Sequence, residues 1–321
     1  MTVSHCDALV FFGATGDLAY KQVFPALQAM IKHGHLDLPI IGVAKSGWNL
    51  DQFRDRAHDS LQKHGGLDAG AFAKLSARLQ YVDGDYQDDA TYEQLHRALG
   101  SAVRPLHYLA IPPGMFESVI QGLAKSGCAR DARVVVEKPF GRDLASAQAL
   151  NRTLHKSFAE DAIFRIDHYL GKEAVENLLY FRFVNTILEP VWCRDHVASV
   201  QITMAEQMGV QGRGAFYEEV GAIRDVVQNH MLQVMALLTM EPPTDGGADA
   251  IRDEKLRVLS AMRPLAPTEV VRGQFRGYLG EDGVSPDSQV ETFAALRLHI
   301  DNARWDGVPF YIRSGKQLPV T

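Results

Sequence analysis

The sequence predicts an α/β N-terminal domain followed by an α+β domain built on a mainly antiparallel sheet, and three observations carry that reading. Short apolar runs alternate with stretches of helical spacing through the first half, as βαβ units on a parallel sheet require. The first of those runs empties into a glycine-bearing turn that opens a helix. After about residue 167 the rhythm changes to longer runs with clean alternation, which suits an antiparallel sheet with one wet face. At 321 residues the chain is long for one core, and domains over 1–167 and 168–321 are expected.

Taken in order, residues 8–12 read as the first strand and 18–32 as its helix. Residues 39–44 form strand two, 50–63 carry helical spacing, and a further helical stretch at 71–79 leads to a short strand near Tyr81 and Val82. A helix at 90–99, a strand at 106–111, a helix at 115–126 and a strand at 133–137 follow. A helix at 144–158 and a strand at 163–166 complete the series. In the second half, 197–205 and 291–301 read as strands. The latter puts Leu296, Leu298 and Ile300 on one face and Arg297, His299 and Asp301 on the other. A helix is expected over 216–239, and Glu241-Pro242-Pro243-Thr244-Asp245-Gly246-Gly247 breaks the chain after it.

Composition narrows the class. Apolar residues make up 46% and charged residues 22%, ordinary for a globular enzyme. A net charge of −6 gives no electrostatic case for nucleic acid or an anionic membrane. The cysteines (Cys6, Cys128 and Cys193) are scattered, which points to a reducing compartment rather than a disulfide framework. No run of 18 apolar residues exists, and residues 1–7 lack a signal peptide's charged and apolar regions, so a cytoplasmic location is expected. His33 and His35 flank Gly34 with no carboxylate or cysteine cluster nearby; they read as surface loop, and no metal site is expected.

Polar residues recur where strands end, which is where open α/β sheets place ligands. Strand one runs into Gly13-Ala14-Thr15-Gly16-Asp17-Leu18, a turn whose amides can approach a pyrophosphate at a helix start. Strand two ends in Val43-Ala44-Lys45-Ser46 with no acid until Asp51; a cation there accommodates a 2′-phosphate, so NADP is expected over NAD. Tyr108-Leu109-Ala110-Ile111-Pro112-Pro113 and Glu137-Lys138-Pro139-Phe140-Gly141 end strands four and five at the same edge. The nine residues Arg165 to Glu173 then pack a carboxylate (Asp167), an imidazole (His168), a phenol (Tyr169) and an ammonium (Lys172) between a strand end and a helix start. Neighbouring strand residues point to opposite faces, so Asp167 and His168 are expected to serve different partners. Lys172 adds charge where helix-start amides already favour an anion. Along the helix expected over 216–239, Asp225 and His230 diverge by roughly 140° at 3.6 residues per turn, and share a pocket only if a ligand lies across the helix. An imidazole suits a general base near neutral pH.

These motifs carry a resemblance. Gly13 to Ala19, Glu137 to Gly141, Arg165 to Glu173, Ile223 to His230, and Arg313-Ser314-Gly315-Lys316 are similar, in order and spacing, to those of glucose-6-phosphate dehydrogenases. The resemblance implies an N-terminal Rossmann-like domain for NADP and a substrate-binding α+β domain. It implies His230 as the base that takes the C1 hydroxyl proton of glucose 6-phosphate, Asp167 orienting it, and 6-phosphogluconolactone as product, the first step of the pentose phosphate pathway. His168, Tyr169 and Lys172 would hold the 6-phosphate, Glu206 and Asp225 the sugar hydroxyls, Lys138 both substrate and nicotinamide, and Lys316 the substrate's far side. Gly13, Ala14, Thr15, Gly16, Asp17, Leu18, Lys45, Tyr108 and Pro112 would contact the cofactor. Three departures matter. Lys45 stands where the family has arginine, which weakens the NADP preference and predicts some use of NAD. Gln22 takes the position of a family basic residue. The family also continues well past Thr321, completing the sheet that makes its dimer or tetramer. Two alternatives stay open at this point: a dehydrogenase of another phosphorylated sugar, and a catalytically silent relative that binds sugar phosphate or nucleotide.

Overall fold

The protein was described from a computed structural model in which residues 5–319 are defined. The chain divides between Ile166 and Asp167 into two compact units.

In the first unit, six strands form one parallel sheet: β1 (Ala8–Phe12), β2 (Ile40–Ala44), β3 (Leu79–Asp83), β4 (Pro105–Leu109), β5 (Arg133–Glu137) and β6 (Ile163–Ile166). Their order across the sheet is β3-β2-β1-β4-β5-β6. The connecting helices are α1 (Phe24–Lys32), α2 (Leu50–Ser60), α3 (Ala69–Arg78), α4 (Asp89–Leu99), α5 (Phe116–Lys125) and α6 (Leu144–His155). Strand residues alternate between two buried layers, which is why the strands read as unbroken apolar runs. Val10, Phe12 and Val43 join Leu95 and the α5 face on one side, while Phe11 and Ile40 join Phe24, Phe53 and Leu75 on the other. That α5 face is Phe116, Val119, Ile120 and Leu123, a spacing that keeps one stripe inward. Each of these side chains, fully buried, contributes about 1.5–3 kcal/mol of hydrophobic stabilisation. Two starts are fixed by capping boxes: Asn49 with Gln52 for α2, and Asp143 with Ser146 for α6. The strand order reverses between β1 and β4, opening the crevice where such sheets bind ligands.

The second unit contains α7 (Glu173–Phe183), β7 (Val200–Ala205), α8 (Gly214–Ala222), a π-helical segment (Ile223–Met231), α9 (Leu232–Thr239), α10 (Ala248–Ser260), β8 (Val270–Gly273), β9 (Phe293–Leu298) and β10 (Phe310–Gly315). The sheet order is β7-β10-β9-β8. β9 is antiparallel to both its neighbours, whereas β10 runs parallel to β7. Leu296, Leu298 and Ile300 are buried as the alternation required, against Met231, Met235, Val258, Phe310 and Ile312.

The helix expected over 216–239 is instead three pieces. Gly221 interrupts it at φ 63°, ψ 178°, a conformation essentially confined to glycine. A Cβ there would lie 2.6 Å from Glu291 Oε1. Glu291 fills the space: its Oε1 accepts the Ile223 amide at 3.0 Å and its carbonyl accepts the Ala222 amide at 2.9 Å. α10, β8 and β10 were not read from the sequence at all.

Candidate active site

The nucleotide edge of the first unit is built from the ends of β1, β2, β4 and β5. Gly13 holds φ 77°, and a Cβ there would meet Ala110 O at 2.2 Å, so β4 and the turn approach closely only because the residue is glycine. The amides of Gly13 and Ala14 are already spent on Val43 O at 3.0 and 3.3 Å, and that of Gly16 on Gly13 O at 2.9 Å. Anion-binding capacity therefore falls to the helix-start amides from Asp17 onward, which have no acceptor within the helix. This close approach and the helix start fit a dinucleotide. Thr15 Oγ1 and Ser46 Oγ, 2.7 Å apart, tie the turn to the end of β2.

At that end Lys45 is exposed and pairs with Asp85 at 2.7 Å, a hydrogen bond and charge that hold the ammonium above the usual lysine range. Asp83 Oδ1 accepts the amides of Ser46 and Gly47 at 2.9 and 2.8 Å. The sequence reading, which found no acid before Asp51, missed both carboxylates because β3 brings them in from forty residues away, in register at Ala44 and Asp83. Asp17 is exposed and bound to Lys21 at 2.9 Å. The Tyr108 hydroxyl donates to Glu137 Oε1 at 2.6 Å; burial and then that carboxylate push the phenol far above its usual range. Pro112 opens a 3₁₀ turn (Pro113–Met115), and Lys138 follows β5 through a cis Lys138–Pro139 bond.

In the second unit the decisive pair is Asp167 and His230. Asp167 Oδ1 is hydrogen bonded to His230 Nδ1 and accepts the Tyr169 amide at 3.0 Å. The imidazole is 5% exposed and the carboxylate 11%. Burial pushes the Asp167 carboxyl up, but the His230 hydrogen bond and charge and the Tyr169 amide outweigh it and hold it below the usual range. Nδ1 is committed to the carboxylate.

β6 ends at Ile166, where the sequence placed its end, and Asp167 and His168 follow in a turn, so the alternation of neighbouring strand residues does not apply to them. The His168 ring sits 4.9 Å from that of His230, and the Tyr169 ring stacks on it at 5.1 Å. Asp225 and His230 both lie in the π-helical segment, whose i→i+5 hydrogen bonding widens the turn beyond 3.6 residues and so narrows the divergence expected of an α-helix.

Lys172 caps the start of α7 and lies 4.0 Å over the Tyr169 ring, exposed to solvent. Glu206, just after β7, and Lys316, just after β10, form an ion pair in which Lys316 is 5% exposed. The adjacent register of β7 and β10, Ala205 with Gly315, imposes that pairing. Lys316 also sits 5.7 Å from the Tyr217 ring. Burial, then the charges of Asp225, Glu206 and Glu291, keep the buried Tyr217 hydroxyl protonated well beyond its usual range. Tyr217, Glu291 and Lys255 of α10 were not singled out in the sequence. No local motif marks them; they become visible only when β9, β10 and α10 are packed against the π-helical segment.

A family model described as the NAD binding domain of glucose-6-phosphate dehydrogenase matches residues 10–177, and its C-terminal domain counterpart matches residues 179–321. Glucose-6-phosphate 1-dehydrogenase 1 of Mycobacterium tuberculosis (strain CDC 1551 / Oshkosh) is 49% identical over 313 residues, covering 98% of this chain and 67% of that protein. The crystal structure of glucose-6-phosphate 1-dehydrogenase from Mycobacterium avium aligns with a TM-score of 0.91 at 48% identity, over 97% of this chain and 70% of that one. A glucose-6-phosphate dehydrogenase in complex with its substrate glucose-6-phosphate gives a TM-score of 0.91 at 39% identity, over 98% and 70%. The chain thus spans about two thirds of the length of these relatives. By family model, identity and fold together, the chain belongs to the glucose-6-phosphate dehydrogenase family.

Proposed function

We propose that the chain oxidises glucose 6-phosphate at C1 to 6-phosphogluconolactone with NADP as hydride acceptor. The observation that carries this reading is the buried Asp167–His230 pair, framed by His168 and Tyr169. His230 Nε2 takes the C1 hydroxyl proton, the C1 hydride leaves, and the C1–O bond becomes the lactone carbonyl. NADP, when bound, supplies the acceptor for that hydride. Asp167 fixes the imidazole tautomer and balances the imidazolium that forms. His168, Tyr169 and Lys172 hold the 6-phosphate; Glu206, Asp225 and Lys316 hold the sugar. Lys138 belongs to both ligands. Gly13 to Leu18, Lys45, Tyr108 and Pro112 hold NADP, with the Asp85 partner of Lys45 competing for its ammonium and admitting some NAD. The cytoplasm is the setting this reading assigns, and the dimer or tetramer expected of the family belongs to it too. Among the described residues, no helix is long and apolar enough to cross a membrane.

A binding-only relative has no use for an acid buried against an imidazole, which favours the enzyme. The test is NADPH formation from glucose 6-phosphate against other hexose phosphates, with NADP and NAD compared, in the parent and in His230→Gln. Loss of a general base costs about 10²–10⁴-fold in kcat, with sugar-phosphate affinity kept. Affinity lost with kcat kept would remove His230 from the role. Tight glucose 6-phosphate binding without turnover in the parent would leave the binding-only reading.

A further inference from the structure

Asp167 uses one oxygen twice and the other not at all. Oδ1 takes both the Tyr169 amide and His230 Nδ1, whereas Oδ2 is buried with no hydrogen-bond partner. A buried carboxylate oxygen left without a donor is costly unless a charge balances it. α10 supplies one. It packs along α9, and Lys255 turns inward from it to donate to Gln233 Oε1 at 2.8 Å. Gln233 lies three residues beyond His230 on the same helical run. A lysine stem ordinarily carries its ammonium out to water; this one is half-buried and tethered to Gln233. Burial lowers the proton affinity of Lys255, Arg252 lowers it further, and the Asp167 charge opposes both, which places the ammonium in the field of Asp167.

We infer that Lys255 is a positioning residue for the reaction. Held by Gln233, it balances the charge of Asp167 through the field between them and limits how tightly Asp167 holds the proton that His230 has taken. The inference rests on His230 being the base. Other groups bear on the same pair. From the turn come His168 and Tyr169, the latter under Lys172; from the π-helical segment comes Asp225, with Glu291 at its start; from α10 comes Arg252. Beyond the end of β10, Lys316 is neutralised by Glu206. Lys255 is therefore a half-buried cation, tethered through Gln233, in the field of Asp167.

The test compares Lys255→Gln and Lys255→Met with Lys255→Arg by two readouts. In the pH profile of kcat/KM for glucose 6-phosphate, the two neutral variants move the acid limb upward by about half to one pH unit. This is the coupling expected of one partly buried charge at an effective dielectric near 20. The arginine variant restores the limb. NMR titration of the His230 ring, assigned by its loss in His230→Gln, moves the same way and needs no turnover. An unmoved limb and an unmoved ring titration in a folded neutral variant would overturn the inference. If one neutral variant does not fold, the other carries the test. A parent without activity would sink the enzymatic reading, while the ring titration still decides whether Lys255 is coupled to the pair.

Discussion

Gly221→Ala tests whether the π-helical segment is held in place by one carboxylate. The residue sits at φ 63°, ψ 178°, and forcing a side chain into that region costs about 1–3 kcal/mol. The new Cβ would also lie 2.6 Å from Glu291 Oε1 and 3.1 Å from Val290 Cγ1, so Glu291 must withdraw. With it goes the acceptor for the Ile223 amide, a loss comparable to removing a helix cap, about 1–2 kcal/mol. The sum, about 2–5 kcal/mol, lowers Tm by roughly 5–15 °C for a unit of this size. Because the same segment carries Asp225 and His230, a shift of even about 1 Å is expected to cut kcat on the order of 10²-fold. Thermal unfolding by circular dichroism and steady-state NADPH formation read the two effects. A variant with parental Tm and parental kcat would refute the argument that Gly221 and Glu291 set this segment.

Three further outcomes follow from the site. Lys172→Ala should raise KM for glucose 6-phosphate roughly 10- to 100-fold, the value of one charge-assisted contact, and leave oxidation of free glucose nearly unchanged; equal effects on both sugars would take the phosphate role from Lys172. Lys45→Ala should lower the NADP-to-NAD ratio of kcat/KM by about tenfold, whereas Lys45→Arg raises it by restoring a two-pronged donor; identical ratios in all three would place the 2′-phosphate elsewhere. Asp167 has a depressed carboxyl in the folded protein, so its stabilising contribution is present above the unfolded carboxylate range and is lost as pH falls through the lowered folded value. Asp167→Asn should therefore flatten the acid side of the stability–pH curve, measured by urea unfolding below about pH 5, and an unchanged slope would contradict the pairing.

The first unit was legible because its signals are local. Fully buried parallel strands such as Ile40–Ala44 read as unbroken apolar runs, and Gly13 announces its own turn. Asp167, His230 and Lys172 were legible as types in a motif. Their geometry was not, since it depends on the turn that brings Asp167 to His230 and on a helix that changes repeat at Ile223. Neither leaves a mark in hydrophobic spacing. α10 hid in the polar run Arg252-Asp253-Glu254-Lys255, where its inward Lys255 looked like a solvated face. β8 is short, and β10 is recognisable only through its two neighbours. Asp83 and Asp85 reach Lys45 through sheet register, which no window along the chain can contain.

β10 lies between β7 and β9 although it is the last of the ten strands among the described residues. β8 and β9 can zip as neighbours once both exist, but β7 waits for a partner more than a hundred residues downstream. During synthesis on a ribosome, Val200–Ala205 therefore emerges long before anything can pair with it, an exposed edge in need of protection. Closing that distance is a slow, non-local step. The residues that follow the two strands are Glu206 and Lys316, so their ion pair forms only when β10 slots home. Formation of the Glu206–Lys316 pair and closure of the sheet are thus a single event, and a chaperone or a nascent-chain stall acting before residue 316 would leave Glu206 without that partner.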